Sequence, residues 1–128
     1  MLRNSFKKQE RLTGKRNFEK LLAEGQRVHL FPFTVYWAHF TDQKPPVRIA
    51  FSIPKKKFKR APDRNLLRRR VRESYRTNKH KLNDLLEDRN LQLHILLVYV
   101  SGEIVEFETI NQKIVEVLNY LTKTFSTD

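Results

Sequence analysis

KKKFKRAPDRNLLRRRVRESYR, residues 55–76, carries eleven Lys or Arg against two acids, Asp63 and Glu73. Its net +9 is most of the formal +12 of the 128-residue chain. Pro62 and Asp63 mark a helix start, because Asp caps helix N-termini and Pro is tolerated in a first turn. Beyond them Leu67, Val71 and Tyr75 recur at i, i+4, with Ser74 beside them, and form one apolar stripe. Arg64, Arg68, Arg72 and Arg76 recur at the same spacing on a neighbouring face, which Asn65 and Arg69 widen. At about 100° per residue these six positions cover an arc of roughly 140°. The spacing predicts a helix over 63–80, extended through Leu82, Leu85 and Leu86, which keep step. One face of this helix needs a core. The other, with Glu73 as its single acid past the start, needs an external polyanion. A solvated basic tail would not carry the apolar stripe.

Upstream, Lys55, Lys56, Lys57 and Arg60 belong to a basic connector over 55–61. Val47 to Ile53 precedes it and alternates as a strand, with Val47, Ile49, Phe51 and Ile53 on one side and Arg48, Ala50 and Ser52 on the other. Thr41 to Pro46 is a turn. Val28 to Phe40 is a second alternating strand, with Phe31, Phe33, Val35 and Trp37 assigned to the core and Pro32, Thr34, Tyr36 and Ala38 to the opposite face. Pro32 places that strand at an edge or near its own beginning. The two strands thus share a face of small and polar residues with one Tyr, a floor for an extended ligand. Asn17 to Glu24 is a short helix, with Phe18, Leu21 and Leu22 on one face and Gly25 as its stop. Residues 1–14 are basic, without periodicity, and read as an irregular arm.

Downstream, Leu91 to Val100 is almost continuously apolar, as in a strand covered on both faces. Thr109 to Phe125 closes the chain as a helix, with Thr109 and Gln112 as a capping box and Ile110, Ile114, Val117, Leu118, Leu121 and Phe125 on its buried face. The order is α-β-β-α-β-α. The fold class is α/β, an α+β two-layer sandwich, in one domain over 1–128.

Charge is unevenly placed. Residues 1–81 hold 23 basic and 6 acidic side chains, and residues 82–128 hold 3 and 8. A pI near 10.2 with the charge gathered in one region points to nucleic acid. The basic helix lacks the broad exposed apolar face of membrane-surface helices, and no apolar run is long enough to span a bilayer, so no membrane partner is expected. The absence of Cys excludes disulfides and thiolate metal sites and is compatible with a cytoplasmic protein. His29, His39, His80 and His94 show no metal-ligand spacing, and His94 is expected on a sheet face. Asp84, Glu87 and Asp88, near a helix end with Arg89, read as solvated surface. No Walker loop or nucleophilic triad is present. The chain therefore offers binding chemistry and no catalytic cluster of its own.

The Arg64-Asn65 pair opening a helix, followed by Arg68, Arg69 and Arg72, comes after Ser52-Ile53-Pro54-Lys55-Lys56 at a strand end. Arg11-Leu12 precedes Phe18 by a short step, and Phe33-Thr34-Val35-Tyr36 lies on the first strand. Together, from about Arg11 to Phe125, this arrangement resembles the protein subunit of bacterial ribonuclease P. Leu66 stands where the family motif usually has a second Arg, Pro54 replaces a small polar residue, and Leu22 stands where a second aromatic is frequent.

The resemblance implies a protein subunit of an endoribonuclease in which a catalytic RNA removes the 5′ leader of precursor tRNA. Divalent metal, normally magnesium, would be held mainly by the RNA and the substrate. No small-molecule cofactor and no autonomous protein active site are implied. Lys55, Lys56, Lys57, Arg60, Arg64, Asn65, Arg68, Arg69, Arg72 and Arg76 would bind the RNA subunit. Phe18, Leu22, Thr34, Tyr36, Arg48, Ala50 and Ser52 would line a cleft for the leader. Ordinary packing is the alternative for the Phe18 and Tyr36 rings. The family fold also implies an atypical left-handed crossover around the arginine helix. A structural RNA-binding protein of ribosomal type is the alternative function.

Overall fold

Leu67, Val71 and Tyr75 are fully buried against a four-stranded sheet in the computed structural model, which describes residues 5–126. A 3₁₀ turn (Lys8–Glu10) leads into α1 (Lys15–Glu24), β1 (Gln26–Leu30), β2 (Phe33–Thr41) and β3 (Val47–Ser52). Then follow α2 (Ala61–Asn78), α3 (His80–Asp88), β4 (Leu91–Tyr99) and α4 (Phe107–Ser126). The strand order is β1-β2-β4-β3, with β2 antiparallel to β1 and β4, and β3 parallel to β4. Parallel neighbours need a crossover, and α2 with α3 supplies it. β4 lies between β2 and β3 with helices on both faces, which suits its almost continuously apolar sequence.

Alternation sorts the two faces. Phe33, Val35, Trp37, Val47, Ile49, Ile95 and Leu97 join α2, α3 and α4 in the main core. On the opposite face Leu12, Leu21 and Leu96 are buried together, with Phe18, Tyr36, Ala38, Ala50 and Val98 packed around them. So α1 crosses the second face, beside the two-layer sandwich that the other helices form.

Several expectations are corrected. The single strand over 28–40 is a hairpin, so the observed order is α-β-β-β-α-α-β-α. Phe31 and Pro32 form its turn, and Phe31 is 57% exposed rather than in the core. The even alternation conceals this break, because Phe31 keeps the parity of Phe33. Pro32 lacks the N–H that an interior strand position uses, and its carbonyl instead accepts from Val100 N at 2.8 Å.

Helix α2 starts at Ala61, and Asp63 lies inside the first turn without capping it. Arg64 Nη1 donates to the carbonyls of Phe58 (2.7 Å) and Lys59 (3.0 Å), so the entry is held by an arginine. The helix stops at Asn78 instead of running on through Leu82, Leu85 and Leu86. Thr77 Oγ1 and Asn78 Nδ2 both donate to Ser74 O, competing for a carbonyl of the last turn.

Helix α1 begins two residues earlier than expected. Gly25 does close it, in extended conformation, and a Cβ there would lie 2.5 Å from Leu21 O. Helix α4 begins at Phe107, with Ile110 N bonded to Glu106 O, so Thr109 and Gln112 form no capping box. The Tyr99 hydroxyl fixes the approach by donating to Glu103 O (2.5 Å) and accepting from Val105 N (3.2 Å).

Of the arm expected over 1–14, residues 1–4 lie outside the described residues, and the rest is tied to the domain. Leu12 N donates to Ile49 O at 2.9 Å, Phe6 stacks near Phe51 and Tyr75, and Glu10 is buried.

Candidate nucleic-acid interface

The arginines of α2 divide into two sets. Arg64 holds the helix entry, Arg70 Nη1 donates to Val105 O at 2.7 Å, and Arg76 pairs with Glu73 at 2.5 Å. The Arg76 hydrogen bond holds the exposed Glu73 carboxyl below its ordinary range. Arg68, Arg69 and Arg72, with Asn65, are exposed and make no hydrogen bond or ion pair among the described residues. They form one wall of a groove of about 450 Å³ beside β3, whose other wall is Phe6, Arg11, Leu12 and Thr13 of the arm. Ala50 and Phe51 lie at its base. Arg68 and Arg69 lack a carboxylate partner and Glu73 offsets Arg72 only in part, so their crowding costs repulsion that a polyphosphate relieves.

Lys55, Lys56 and Lys57 stand exposed on the turn that follows β3. Pro54 O accepts from Lys57 N and Phe58 N, and the buried Phe58 ring anchors the turn in the core. Arg60 is exposed at the N-cap of α2. The basic surface thus runs from this turn along α2.

Strand register assembles the second surface. Thr34 pairs with Val98 and Tyr36 with Leu96; these in turn pair with Ser52 and Ala50. Thr34, Tyr36, Ala50 and Ser52 therefore share one face, as expected. Phe18 of α1 packs in the same cluster, while Leu22 is 51% exposed on the helix surface. Tyr36 is half-buried and its hydroxyl makes no hydrogen bond among the described residues.

Arg48 shares this face by parity, on the neighbouring row. It pairs with His94, which pairs with Ala38, one row further along the sheet. Ala38 and His94 line a different groove with Asn17, Lys20 and Leu21 of α1.

Two residues on this face escaped the sequence reading. Arg27 pairs with Tyr36 and His29 with Thr34, so β1 widens the floor. His29 Nδ1 lies 2.9 Å from Thr34 Oγ1. Pro32 inside the apparent strand was the available signal. The arm's Phe6 and Arg11 were missed too, since nothing local marks where an aperiodic segment docks.

The ribonuclease P family matches residues 6–122. The ribonuclease P protein component of Porphyromonas gingivalis is 34% identical over 106 residues, covering 82% of this chain and 77% of that protein. The chain belongs to the ribonuclease P protein family. Solved structures agree in fold. The ribonuclease P protein of Thermotoga maritima superposes with a TM-score of 0.69 at 24% identity, over 87% of this chain and 96% of that one. That of Staphylococcus aureus gives 0.68 at 20% identity, over 91% and 98%.

Ribonuclease P proteins are components of an endoribonuclease ribonucleoprotein of tRNA 5′ processing, and membership implies association with the ribonuclease P RNA. The ribosomal-type alternative is not favoured. Among the described residues no helix is long and apolar enough to cross a membrane. Nor do they present a group of three or more His, Cys, Asp or Glu placed to hold a metal ion.

Proposed function

We propose that Asn65, Arg68, Arg69 and Arg72 bind phosphates of the ribonuclease P RNA, with Lys55, Lys56, Lys57 and Arg60 continuing that contact. Arg64 acts by holding the helix entry, and Arg76 is partly neutralised by Glu73. The single-stranded 5′ leader of precursor tRNA lies on the open half of the second sheet face. There Tyr36 stacks on a base, Phe18 and Leu22 flank it, and Thr34, Ala50 and Ser52 form the floor. The observation that carries this reading is the three unpartnered arginines beside a sheet face that holds a half-buried, unbonded tyrosine.

In this reading magnesium or another divalent ion is held mainly by the RNA and the substrate. The protein's own part is to hold and orient RNA. We place this activity in the cytoplasm.

Reconstitution tests the proposal. Purified protein mixed with its catalytic RNA should raise cleavage of leader-bearing precursor tRNA at the mature 5′ end. Protein freed of RNA should cleave nothing. An RNA subunit whose activity is unchanged by the protein would refute the assignment.

A further inference from the structure

The second sheet face continues past α1. On the far flank of that helix, Asn17, Lys20, Leu21 and Glu24 face Ala38, Phe40 and His94 across a groove of about 300 Å³. Arg48 stands beside His94 on the next strand. Its Nε is buried and has no hydrogen-bond partner among the described residues, a cost to the fold. Lys20 Nζ lies 6.0 Å from the centre of the Phe40 ring, and that ring lies 4.5 Å from the His94 ring. The histidine is fixed in one tautomer. Gln92 Nε2 donates to Pro45 O, so Gln92 Oε1 must accept from His94 Nε2, at 3.2 Å. Nδ1 is left to take up a proton and become a second donor. Glu24, on the same groove, is its one acid, and His39 completes the titratable groups around it.

We propose that this groove binds a second unpaired nucleotide of RNA, with its phosphate at Lys20 and its base against Phe40. The inference rests on the RNA-binding reading above but uses the opposite flank of α1 from Phe18 and Leu22. An exposed cation, a half-buried ring and a groove of about 300 Å³ are the parts that single-strand recognition uses. The nucleotide has two possible sources, the RNA subunit or the precursor's leader. Phosphate binding would favour protonated His94, so affinity should rise as pH falls through the histidine range.

The test starts with ¹⁵N-labelled protein alone, titrated with adenosine 5′-monophosphate and separately with inorganic phosphate. The nucleotide should shift the amides of Ala38, Phe40 and His94 and bind about 5-fold or more tighter than phosphate, the factor one stacked base supplies. Lys20→Gln and Phe40→Leu should each weaken it severalfold, and Glu24→Gln should strengthen it. Equal binding of phosphate and nucleotide, or shifts confined to the Tyr36 side, would overturn the proposal and leave the leader cleft untouched. In the holoenzyme, Lys20→Gln should weaken either assembly with the RNA subunit or binding of long-leader precursor, which identifies the source. A Lys20→Gln holoenzyme equal to wild type in both arms also overturns it.

Discussion

Lys79 Nζ sits 2.6 Å from Glu10 Oε1, with the two side chains 5% and 11% exposed. Lys79 also donates to Ser5 O, and Glu10 Oε2 accepts from Lys7 N at 2.7 Å. One buried pair thus fastens the N-terminal arm to the junction of α2 and α3. The arm in turn supplies Phe6, Arg11 and Leu12 to the groove beside the free arginines.

Breaking that pair from one side leaves an uncompensated buried charge. Glu10→Leu alone should destabilise the protein by about 3–5 kcal/mol. Glu10→Leu with Lys79→Met removes both charges and should recover most of the loss. Urea unfolding of the three proteins decides it. A double variant as weak as the single would show that packing of the arm, not charge pairing, dominates.

The split among the arginines predicts two kinds of defect. Replacing Arg68 and Arg72 together by Ala should flatten log K against log salt for RNA-subunit binding by somewhat over one unit, at about 0.7–0.9 per lost phosphate contact. The fold should be unaffected. Arg64→Ala should instead cost stability, about 1.5–3 kcal/mol for a charged donor lost to two carbonyls, with a smaller change in slope. Filter binding across a salt series, paired with thermal unfolding, separates the two. An unchanged slope in the double variant would move the RNA site elsewhere.

What the sequence displayed was whatever repeats locally. The i, i+4 stripe of Leu67, Val71 and Tyr75 and the alternation through β2, β3 and β4 gave the layers, the main core and the shared face of Tyr36 and Ala50. What it concealed depends on distant partners. Arg64 and Arg68 are equivalent on a helical wheel, and only the carbonyls of Phe58 and Lys59 distinguish them. Arg48 has the parity of Ala50, and only the register shows it one row along, paired with His94. Phe31 kept strand parity while sitting in a turn. The docking of Phe6, Glu10 and Leu12 left no periodic trace, because an aperiodic segment is placed by the surface it meets.

His94 carries a pH signature. Burial foremost, then the charges of Arg48 and Lys20, hold its ring below the ordinary 6.5. The fold favours the neutral ring, whereas the unfolded chain takes up a proton near 6.5. The unfolded state therefore binds more protons below that value, and stability falls as pH drops through it toward the folded value. His94→Gln removes this contribution. The loss of thermal midpoint between about pH 7.5 and pH 5.5, which spans the histidine range, should be smaller in His94→Gln than in wild type. Identical losses would mean that the ring titrates alike in both states. Arg48 and Lys20 are the neighbours whose charges add to the effect of burial.

Tyr36 is where the protein should meet its substrate. Its ring lies on the face with Thr34, Ala50 and Ser52, on the opposite parity from the buried Trp37. Stacking on an unpaired base contributes about 1–3 kcal/mol. Only a substrate that carries a leader offers such a base here, and mature tRNA has none. Tyr36→Ala should therefore weaken holoenzyme binding of leader-bearing precursor roughly 5- to 100-fold and leave mature tRNA binding almost unchanged. Arg68→Ala should act mainly on assembly with the RNA subunit instead. The measurement compares affinities for precursors with leaders of graded length, using holoenzymes made with wild-type and Tyr36→Ala protein. The defect should appear once the leader is long enough to reach the ring and then level off. A defect of the same size with no leader as with a long one would mean that the ring serves packing around Phe18 and Leu96, and the cleft assignment would fail.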